Sequence, residues 1–261
     1  MKSQIYSFAR NLYLSSVGLF CKPANGVHIL SGHFSGNDYV SGSDSFKHFV
    51  DYISTIANLI SFEEAISLIE RKVELDRPYI ALSFDDGFYE NYSHIAKVLD
   101  EISVGACFFI NAGVIGASNE YLLKYIKRVD VANRDFLTWE VLKKMSDNGH
   151  TIGSHSLDHF RLYDLNEDDI ERQIHENKLI IESKLRIKVN SFAWPYGKLS
   201  DISDKALKII EKYHSHIFSG TNYKFYYSLN GRVINRRHIE PYWPKSHIKY
   251  FLSSKKSYAV N

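Results

Sequence analysis

Two short segments, far apart in the chain, contain residue types that could bind a divalent metal. Ser83-Phe84-Asp85-Asp86-Gly87 places two adjacent carboxylates after an apolar run, and His155-Ser156-Leu157-Asp158-His159 places two imidazoles four residues apart. One carboxylate and two histidines form a facial set of ligands that leaves coordination positions open for water and substrate. The remaining carboxylate can act as a base for that water. Together the two segments are typical of a metal hydrolase.

The chemical type of these ligands narrows the choice of metal. Nitrogen and oxygen ligands without a thiolate suit Zn, Co, Ni or Mn better than Ca or Mg, and we favour one Zn ion. Each segment alone has an ordinary interpretation, as a charged loop or as two surface histidines on a helical turn. Their combination favours the metal site. Adjacent Asp85 and Asp86 must point in different directions, so they can divide the roles of ligand and base.

An alternation of apolar strands and amphipathic helices must position these residues. Strands are predicted at residues 27–30, 79–84, 106–110, 151–153, 191–193 and 216–219. Helical patterns lie between them, and Ser61 and Asn166 are predicted to be N-caps of two of these helices. This spacing predicts an α/β fold with parallel strands joined by crossover helices. The candidate ligands directly follow predicted strands, and α/β barrels gather their active sites at the carboxyl ends of the strands.

The order of the motifs also resembles a known family. An apolar strand ending in Ser83-Phe84-Asp85-Asp86-Gly87, followed by His155-Ser156-Leu157-Asp158-His159, looks like the NodB-homology polysaccharide deacetylases, also called carbohydrate esterase family four. Phe192-Ala193-Trp194-Pro195-Tyr196-Gly197 stands where that family has a Pro-Tyr-Gly loop, and the resemblance runs from about Val27 to Leu252. It implies a distorted, incomplete (β/α) barrel. It also implies a metal-dependent enzyme that removes acetyl from an N-acetylated amino sugar of a glycan or glycan precursor.

The resemblance further implies roles for individual residues. The metal ligands would be Asp86, His155 and His159. Asp85 would be the base, and the backbone N–H of Tyr196 would donate to the oxyanion of the tetrahedral intermediate. One position departs from the family pattern, since many members have an arginine that orients the catalytic aspartate where this chain has Ala193. A subgroup acting on exopolysaccharide and surface-glycan precursors lacks that arginine, and this chain looks like that subgroup.

A general acid is needed to protonate the leaving amine, and members of the family use a histidine on a late strand. We predict His238 for this role, with His214 and His216 as rivals and a purely structural role for His238 as the alternative. The aspartate motif that accompanies this histidine in the family is not recognisable in the sequence. Further residues expected to contact the substrate are His33, Arg237, Trp194 and Trp139, although core packing explains Trp139 equally well.

Composition argues against several other classes of protein. The formal net charge is +2, and no run of lysine or arginine marks a nucleic-acid-binding surface. A serine hydrolase is disfavoured because the sequence has no G-x-S-x-G motif. The two cysteines lack metal-ligand spacing and imply no disulfide framework. Two alternatives to deacetylation stay open: deformylation or another amide or ester hydrolysis on the same scaffold, and a non-catalytic glycan-binding module.

Residues 1–25 are predicted to form a helical arm on a single catalytic domain of residues 26–261. One helical face contains Ile5, Phe8, Ala9, Leu12 and Tyr13, and we expect the helix to dock on its own domain. Peripheral contact of residues 1–20 with a membrane is the alternative, disfavoured because few basic residues flank the helix. No apolar stretch reaches transmembrane length and no small-residue cleavage site stands out. We therefore expect a cytoplasmic location, with the inner face of the membrane as a variant of it.

Overall fold

Residues 2–36, 42–131 and 134–258, which the computed structural model describes, form ten β-strands and nine α-helices. The strands are β1 (Gly26–Gly32), β2 (Asn58–Leu59), β3 (Pro78–Phe84), β4 (Cys107–Ile110), β5 (Thr151–Ser154), β6 (Ser191–Ala193), β7 (His216–Ser219), β8 (Tyr227–Ser228), β9 (Val233–Asn235) and β10 (Arg237–His238). The helices are α1 (Lys2–Gly18), α2 (Gly42–Ser54), α3 (Phe62–Glu70), α4 (Lys97–Glu101), α5 (Asn119–Val129), α6 (Trp139–Asp147), α7 (Glu167–Leu185), α8 (Asp204–Tyr213) and α9 (Lys245–Leu252).

These strands belong to one sheet that curls into an incomplete barrel. Their order is β10-β1-β3-β4-β5-β6-β7-β9-β8, with β2 beside β3, and the pairs are parallel except β8 with β9. β9 and β10 lie near opposite ends of this order, although Arg236 alone separates them in the chain. The sheet must therefore curl until its ends approach, and the predicted α/β fold with a distorted, incomplete (β/α) barrel is confirmed. We call this crossing, residues 235–237, the seam.

The elements that present the candidate site occur where the sequence predicts them. The six predicted strands correspond to β1, β3, β4, β5, β6 and β7, each within two residues of its expected bounds. Both predicted N-caps are confirmed. The Ser61 hydroxyl accepts from the Glu64 N–H (3.2 Å), and the Asn166 side chain accepts from the Asp169 N–H (2.9 Å). Apolar periodicity and capping residues therefore sufficed to locate these elements.

Other elements are absent from the sequence prediction. β2, β8, β9 and β10 contain two or three residues each, which is too short for an alternating pattern to show, and α5 and α9 were not expected either. Residues 91–96 form a π-helical turn before α4, where the sequence suggested a regular helix. The seam therefore lies in the part of the chain that the sequence described least.

Helix α1 packs against α9 through a narrow face. Leu14 and Gly18 are buried there, and a Cβ on Gly18 would lie 2.0 Å from a backbone oxygen of α9. Phe8, Leu12 and Tyr13 are exposed instead. Helix α1 therefore docks on the domain as expected, but its close contact uses the glycine on another side of the helix. Tyr13, at the edge of the apolar stripe, packs edge-on against Tyr250 of α9 with 5.9 Å between ring centres. Among the described helices, none is both long and apolar enough to cross a membrane.

Candidate active site

A cavity of about 570 Å³ opens at the carboxyl ends of the barrel strands. Its wall brings together residues from distant parts of the sequence. The predicted site residues in the wall are His33, Asp85, Asp86, His155, His159, Trp194, Tyr196 and His238. Arg236 and Lys198, which the sequence did not single out, also line the cavity.

Alternation along β3 decides where the two carboxylates point. Phe84 packs with the helices outside the sheet, while Ala81 packs inside it. The same alternation turns Asp85 inward, and its N–H donates to a carbonyl of β1 (3.0 Å). The chain then leaves the sheet in a tight left-handed turn, because Asp86 and Gly87 have φ of 73° and 74°. This turn, unusual for a residue with a side chain, separates Asp86 from Asp85 and places it beside the histidines.

Asp86, His155 and His159 converge in the cavity wall. Asp86 Oδ1 lies 3.5 Å from His155 Nε2 and 3.3 Å from His159 Nε2, and the three residues are buried. The His155 Nδ1–H donates to the Ala193 carbonyl (2.8 Å), which fixes the tautomer and leaves Nε2 free to bind. Within the described residues, Asp86 Oδ1 has no hydrogen-bond partner of regular geometry. An unsatisfied carboxylate oxygen and two imidazole nitrogens within 4.8 Å of one another fit a divalent metal.

The protonation states of these side chains also suit a metal. Burial alone would raise the pKa of Asp86, but the neighbouring His159 and His155 hold this pKa well below its usual range. Burial lowers the pKa of His159, and the attraction of Asp86 offsets this only in part. An ionised carboxylate beside a neutral imidazole is the protonation state in which these groups bind metal ions.

A buried arginine holds Asp85, and sequence reasoning missed it. Arg236 Nη1 and Nη2 donate to the two carboxylate oxygens of Asp85 at 2.8 and 2.9 Å, and the two residues are 1% and 6% exposed. The guanidinium also donates to the Ser83 hydroxyl (3.0 Å) and lies 4.7 Å from the centre of the Phe109 ring. Burial alone would raise the pKa of Asp85, but Arg236 keeps this pKa below its usual value. Asp85 is thereby ionised and fixed in orientation.

Arg236 reaches Asp85 from the seam and not from the Pro-Tyr-Gly loop. Ala193, in that loop's strand, belongs to the same buried cluster as Phe109, against whose ring the guanidinium lies. The backbone N–H of Arg236 donates to the Ser219 carbonyl of β7 (3.2 Å), which anchors the arginine to this side of the curled sheet. Its position two residues before His238, the predicted general acid, could have indicated that Arg236 also lies near the site. A single sequence does not show, however, that the sheet closes at this point.

A second carboxylate–imidazole cluster borders the cavity. The His33 Nδ1–H donates to Glu240 Oε1 (2.8 Å), and His238 Nε2 lies 2.9 Å from the same oxygen. Burial alone would raise the pKa of Glu240, but the two histidines lower it to about 2. Burial alone would lower the pKa of His33, yet Glu240 raises it to about 10. Glu240 is therefore the carboxylate partner of His238 that sequence reasoning did not recognise. Glu240 and His238 are two residues apart in an extended chain, which places both side chains on one side. This spacing could have indicated the pair from the sequence.

Tyr196 borders the metal-binding cluster. Its φ is 67°, and its half-exposed ring packs edge-on against His159 with 4.9 Å between ring centres. Gly197 continues the left-handed turn with φ of 72°, and a Cβ there would lie 2.9 Å from the Gly220 nitrogen. The turn therefore holds Tyr196 in the cavity wall beside His159.

Three predicted substrate contacts are not supported by the positions of the side chains. The Arg237 guanidinium packs 3.8 Å from the centre of the Phe251 ring, outside the cavity, because neighbouring residues of an extended strand point to opposite sides. Trp139 begins α6 and packs against the core. Trp194 lines the cavity but is buried, and its indole N–H donates to the Lys198 carbonyl (3.0 Å), so it shapes the loop without offering a free ring face.

The two rival candidates for the general acid lie away from the cavity. His216 begins β7, at the amino end of the barrel strands, and its Nε2 lies 3.0 Å from Glu70 Oε1. His214 precedes that strand, is buried, and has no hydrogen-bond partner for either ring nitrogen among the described residues. Of the three predicted histidines, only His238 lines the cavity.

The curled parallel sheet presents at its carboxyl end an Asp-His-His cluster that could hold a metal ion and an arginine-bound aspartate that could act as a base. This arrangement suits a hydrolase, and comparison with known proteins agrees with that class. The profile of the polysaccharide deacetylases matches residues 72–215, more than half of the chain. The chain belongs to this family, the NodB-homology deacetylases of carbohydrate esterase family four.

Solved structures of deacetylases have a similar fold. IcaB from Ammonifex degensii superposes with a TM-score of 0.69 at 18% identity, over 89% of this chain and 99% of that one. The Streptococcus pyogenes deacetylase PplD superposes with a TM-score of 0.63 at 16% identity, over 88% and 99%. A de-N-acetylase from Aggregatibacter actinomycetemcomitans gives 0.61 at 19% identity, over 87% and 98%. At these identities the likeness shows the fold.

A curated relative from Bacillus subtilis (strain 168) matches part of the chain. This protein, YxkH, is provisionally named a polysaccharide deacetylase and is 23% identical over 150 residues. The match covers 58% of this chain and 47% of YxkH, so the chain corresponds to about half the length of that relative.

Proposed function

We propose that this protein is a metal-dependent deacetylase that removes the acetyl group from an N-acetylated amino sugar of a glycan or glycan precursor. The observation that carries the proposal is the presence, in one cavity, of a metal-binding cluster and an ionised Asp85 held by Arg236. Membership of the polysaccharide deacetylases supports hydrolysis of a C–N bond. A role in surface-glycan biosynthesis and a cytoplasmic location stay predictions from the sequence.

Asp86, His155 and His159 would hold one divalent metal ion. Their two nitrogens and one oxygen favour Zn, with Co, Ni or Mn as alternatives. Bound there, the ion would acidify a water molecule and polarise the carbonyl of the amide. The contribution of the chain is a fixed geometry, because the His155 tautomer is set by the Ala193 carbonyl and Asp86 is held in a left-handed turn.

Asp85 would accept the proton of the attacking water. Each of its carboxylate oxygens accepts one N–H from Arg236, which leaves a further lone pair on each oxygen to meet the water. The low pKa of Asp85 does not prevent this role, since an acidified water needs only a weak base. Arg236 would thus act as a positioning residue for the base.

His238 would protonate the leaving amine, with Glu240 as the carboxylate that positions it. The His238 side chain is 46% exposed, so it can meet a substrate in the cavity while its Nε2 contacts Glu240. His33 shares Glu240, but a pKa of about 10 makes it a poor proton donor at neutral pH. We assign His33 to holding a fixed positive charge in the substrate cavity.

Tyr196 would contribute to binding in two ways. Its backbone N–H, in the turn beside the candidate ligands, is proposed to donate to the oxyanion, a contact that lowers the barrier by about 3 kcal/mol in other hydrolases. Its half-exposed ring offers an apolar face to a sugar. Trp194 stabilises this loop through the hydrogen bond from its indole N–H to the Lys198 carbonyl.

The test is release of acetate and of a free amine from a panel of N-acetylated amino-sugar oligosaccharides, free, lipid-linked and nucleotide-linked. We expect turnover that a chelator abolishes and Zn or Co restores. Asp85→Asn should abolish turnover and retain the metal, whereas the exposed control Asp147→Asn should change neither. Release of formate from N-formylated counterparts of these sugars, without release of acetate from the acetylated ones, would identify a deformylase. Glycan binding without any hydrolysis would identify a non-catalytic module and overturn the proposal.

A further inference from the structure

Exposed apolar side chains concentrate in one segment of the molecule. Eleven large apolar side chains are exposed among the described residues, and five of them fall between residues 8 and 20. These five are Phe8 (72% exposed), Leu12 (60%), Tyr13 (55%), Leu19 (64%) and Phe20 (89%). Phe8 and Leu12 are one helical turn apart and lie on the side of α1 opposite the buried Leu14. The other six are scattered along the chain, so this group needs its own explanation.

The contact with α9 fixes this apolar face towards the outside. His247 Nε2 lies 3.1 Å from the Ser15 hydroxyl, and the Lys249 ammonium donates to the Leu19 carbonyl (2.7 Å). The close approach at Gly18 leaves no room for α1 to rotate about its axis. We call the exposed surface of residues 8–20 and 245–255 the α1–α9 surface.

The charge of the same region is one-sided. Residues 1–37 and 241–261, which contain both helices, have no aspartate or glutamate. They include seven basic residues, namely Lys2, Arg10, Lys22, Lys245, Lys249, Lys255 and Lys256, of which Lys256 is buried. The chain as a whole is nearly balanced, with 32 basic and 30 acidic residues. The few basic residues near α1 in the sequence are thus supplemented by those that α9 brings beside it in the fold.

We propose that the α1–α9 surface docks on an anionic lipid membrane, with Phe8, Leu12 and Phe20 entering the interfacial layer. Aromatic and aliphatic side chains on a helix, surrounded by lysine and arginine without acids, are the features that bind a helix to anionic lipid. A second copy of the chain is the less suitable occupant, because two acid-free basic surfaces would repel each other. The docking does not depend on the proposed enzyme activity. It would, however, bring the cavity near the lipid, since Trp243, just before α9, contacts His238 with 5.3 Å between ring centres.

Vesicle co-sedimentation of the full chain tests the apolar part of this surface. We expect binding to phosphatidylcholine vesicles that contain phosphatidylglycerol and at least about tenfold weaker binding to phosphatidylcholine alone. Leu12→Asp should weaken binding to the anionic vesicles by a similar factor. Leu123→Asp, at an equally exposed leucine of α5, is the matched control and should bind like the wild type.

Charge reversal tests the electrostatic part. Arg10→Glu with Lys255→Glu should weaken binding by more than about tenfold, since each basic residue near an anionic surface contributes about fivefold. Lys144→Glu with Lys184→Glu, at exposed positions on α6 and α7, changes the net charge equally and should leave binding intact.

Several results would overturn the proposal. These are equal binding to neutral and anionic vesicles, unchanged binding of Leu12→Asp, or equal losses in the two charge-reversal pairs. Dimerisation in sedimentation velocity that Leu12→Asp abolishes, without vesicle binding, would assign the surface to self-association and also exclude the membrane. Acetate release from a soluble substrate should be unaffected by Leu12→Asp, so the failure of this inference and of the proposed function can be told apart.

Discussion

Replacing Arg236 with methionine would test the arrangement on which the proposed mechanism depends most. The variant keeps an apolar side chain over the Phe109 ring but removes both hydrogen bonds to Asp85. Asp85 is 6% exposed, so it would become an unpaired buried charge. Loss of one partner of a buried ion pair costs about 3–5 kcal/mol, and we expect the free energy of unfolding, measured by urea titration, to fall by about this amount.

The same change should alter catalysis in a characteristic way. Without Arg236 the carboxylate loses both its orientation and the charge that lowers its pKa. The kcat for acetate release should fall by about 10²-fold or more, the usual contribution of a positioned base. The pKa of Asp85 should rise, because Arg236 no longer opposes the effect of burial. Since only the ionised form accepts a proton, activity on the acid side of the pH profile should disappear at higher pH than in the wild type.

Matched variants separate this effect from general damage. Lys124 pairs with Glu120 at 2.7 Å and both side chains are exposed, so Lys124→Met should cost no more than about 1 kcal/mol and leave kcat unchanged. The double variant Asp85→Asn with Arg236→Met removes both buried charges and should be less destabilised than the sum of the single variants. A folded Arg236→Met protein with the kcat and acid limb of the wild type would refute the reasoning.

Other parts of the molecule give further expectations. Glu240→Gln and His238→Ala should each slow amide hydrolysis by about 10²-fold or more. Hydrolysis of an activated acetate ester should be spared, because its leaving group departs without a proton. His216→Ala should match the wild type in the same assay. His155→Ala should bind less than stoichiometric Zn when measured by elemental analysis, and full retention would contradict the ligand assignment. Burial lowers the pKa of Lys256 from 10.5 to about 7. The unfolded chain therefore binds more protons between these values, and stability rises with pH across that window. Lys256→Met should remove this pH dependence in urea titrations and raise the free energy of unfolding by up to about 4 kcal/mol at pH 7. An unchanged pH dependence would contradict this assignment to Lys256.

The convergence of Asp86, His155 and His159 could be predicted from the sequence, but the residues that support this cluster could not, for a physical reason. Asp86 and His155 follow strands whose apolar patterns are local, so their meeting at one end of a parallel sheet could be expected from the pattern alone. Arg236 and Glu240 belong to the closing region of the sheet. Their partners depend on how far the sheet curls, and no local pattern encodes that curvature. The side of α1 that is buried was equally hidden, because Gly18 and not the apolar stripe decides the contact with α9.

The seam also determines when, during synthesis of the chain, Asp85 can become aligned in the site. A nascent chain that has emerged as far as β7 already contains the three candidate ligands and Asp85, but not the residue that aligns Asp85. That residue, Arg236, is in place only when the chain crosses from one end of the curled sheet to the other. The Arg236 backbone N–H bonds to β7, and the Ile239 N–H, three residues later, bonds to the Ser31 carbonyl of β1. The alignment of Asp85, the proposed base, therefore depends on the closure of the barrel. A partly synthesised or clipped chain that lacks residues 236–240 should retain the ligands yet have no oriented base, so that hydrolysis begins only in the finished molecule.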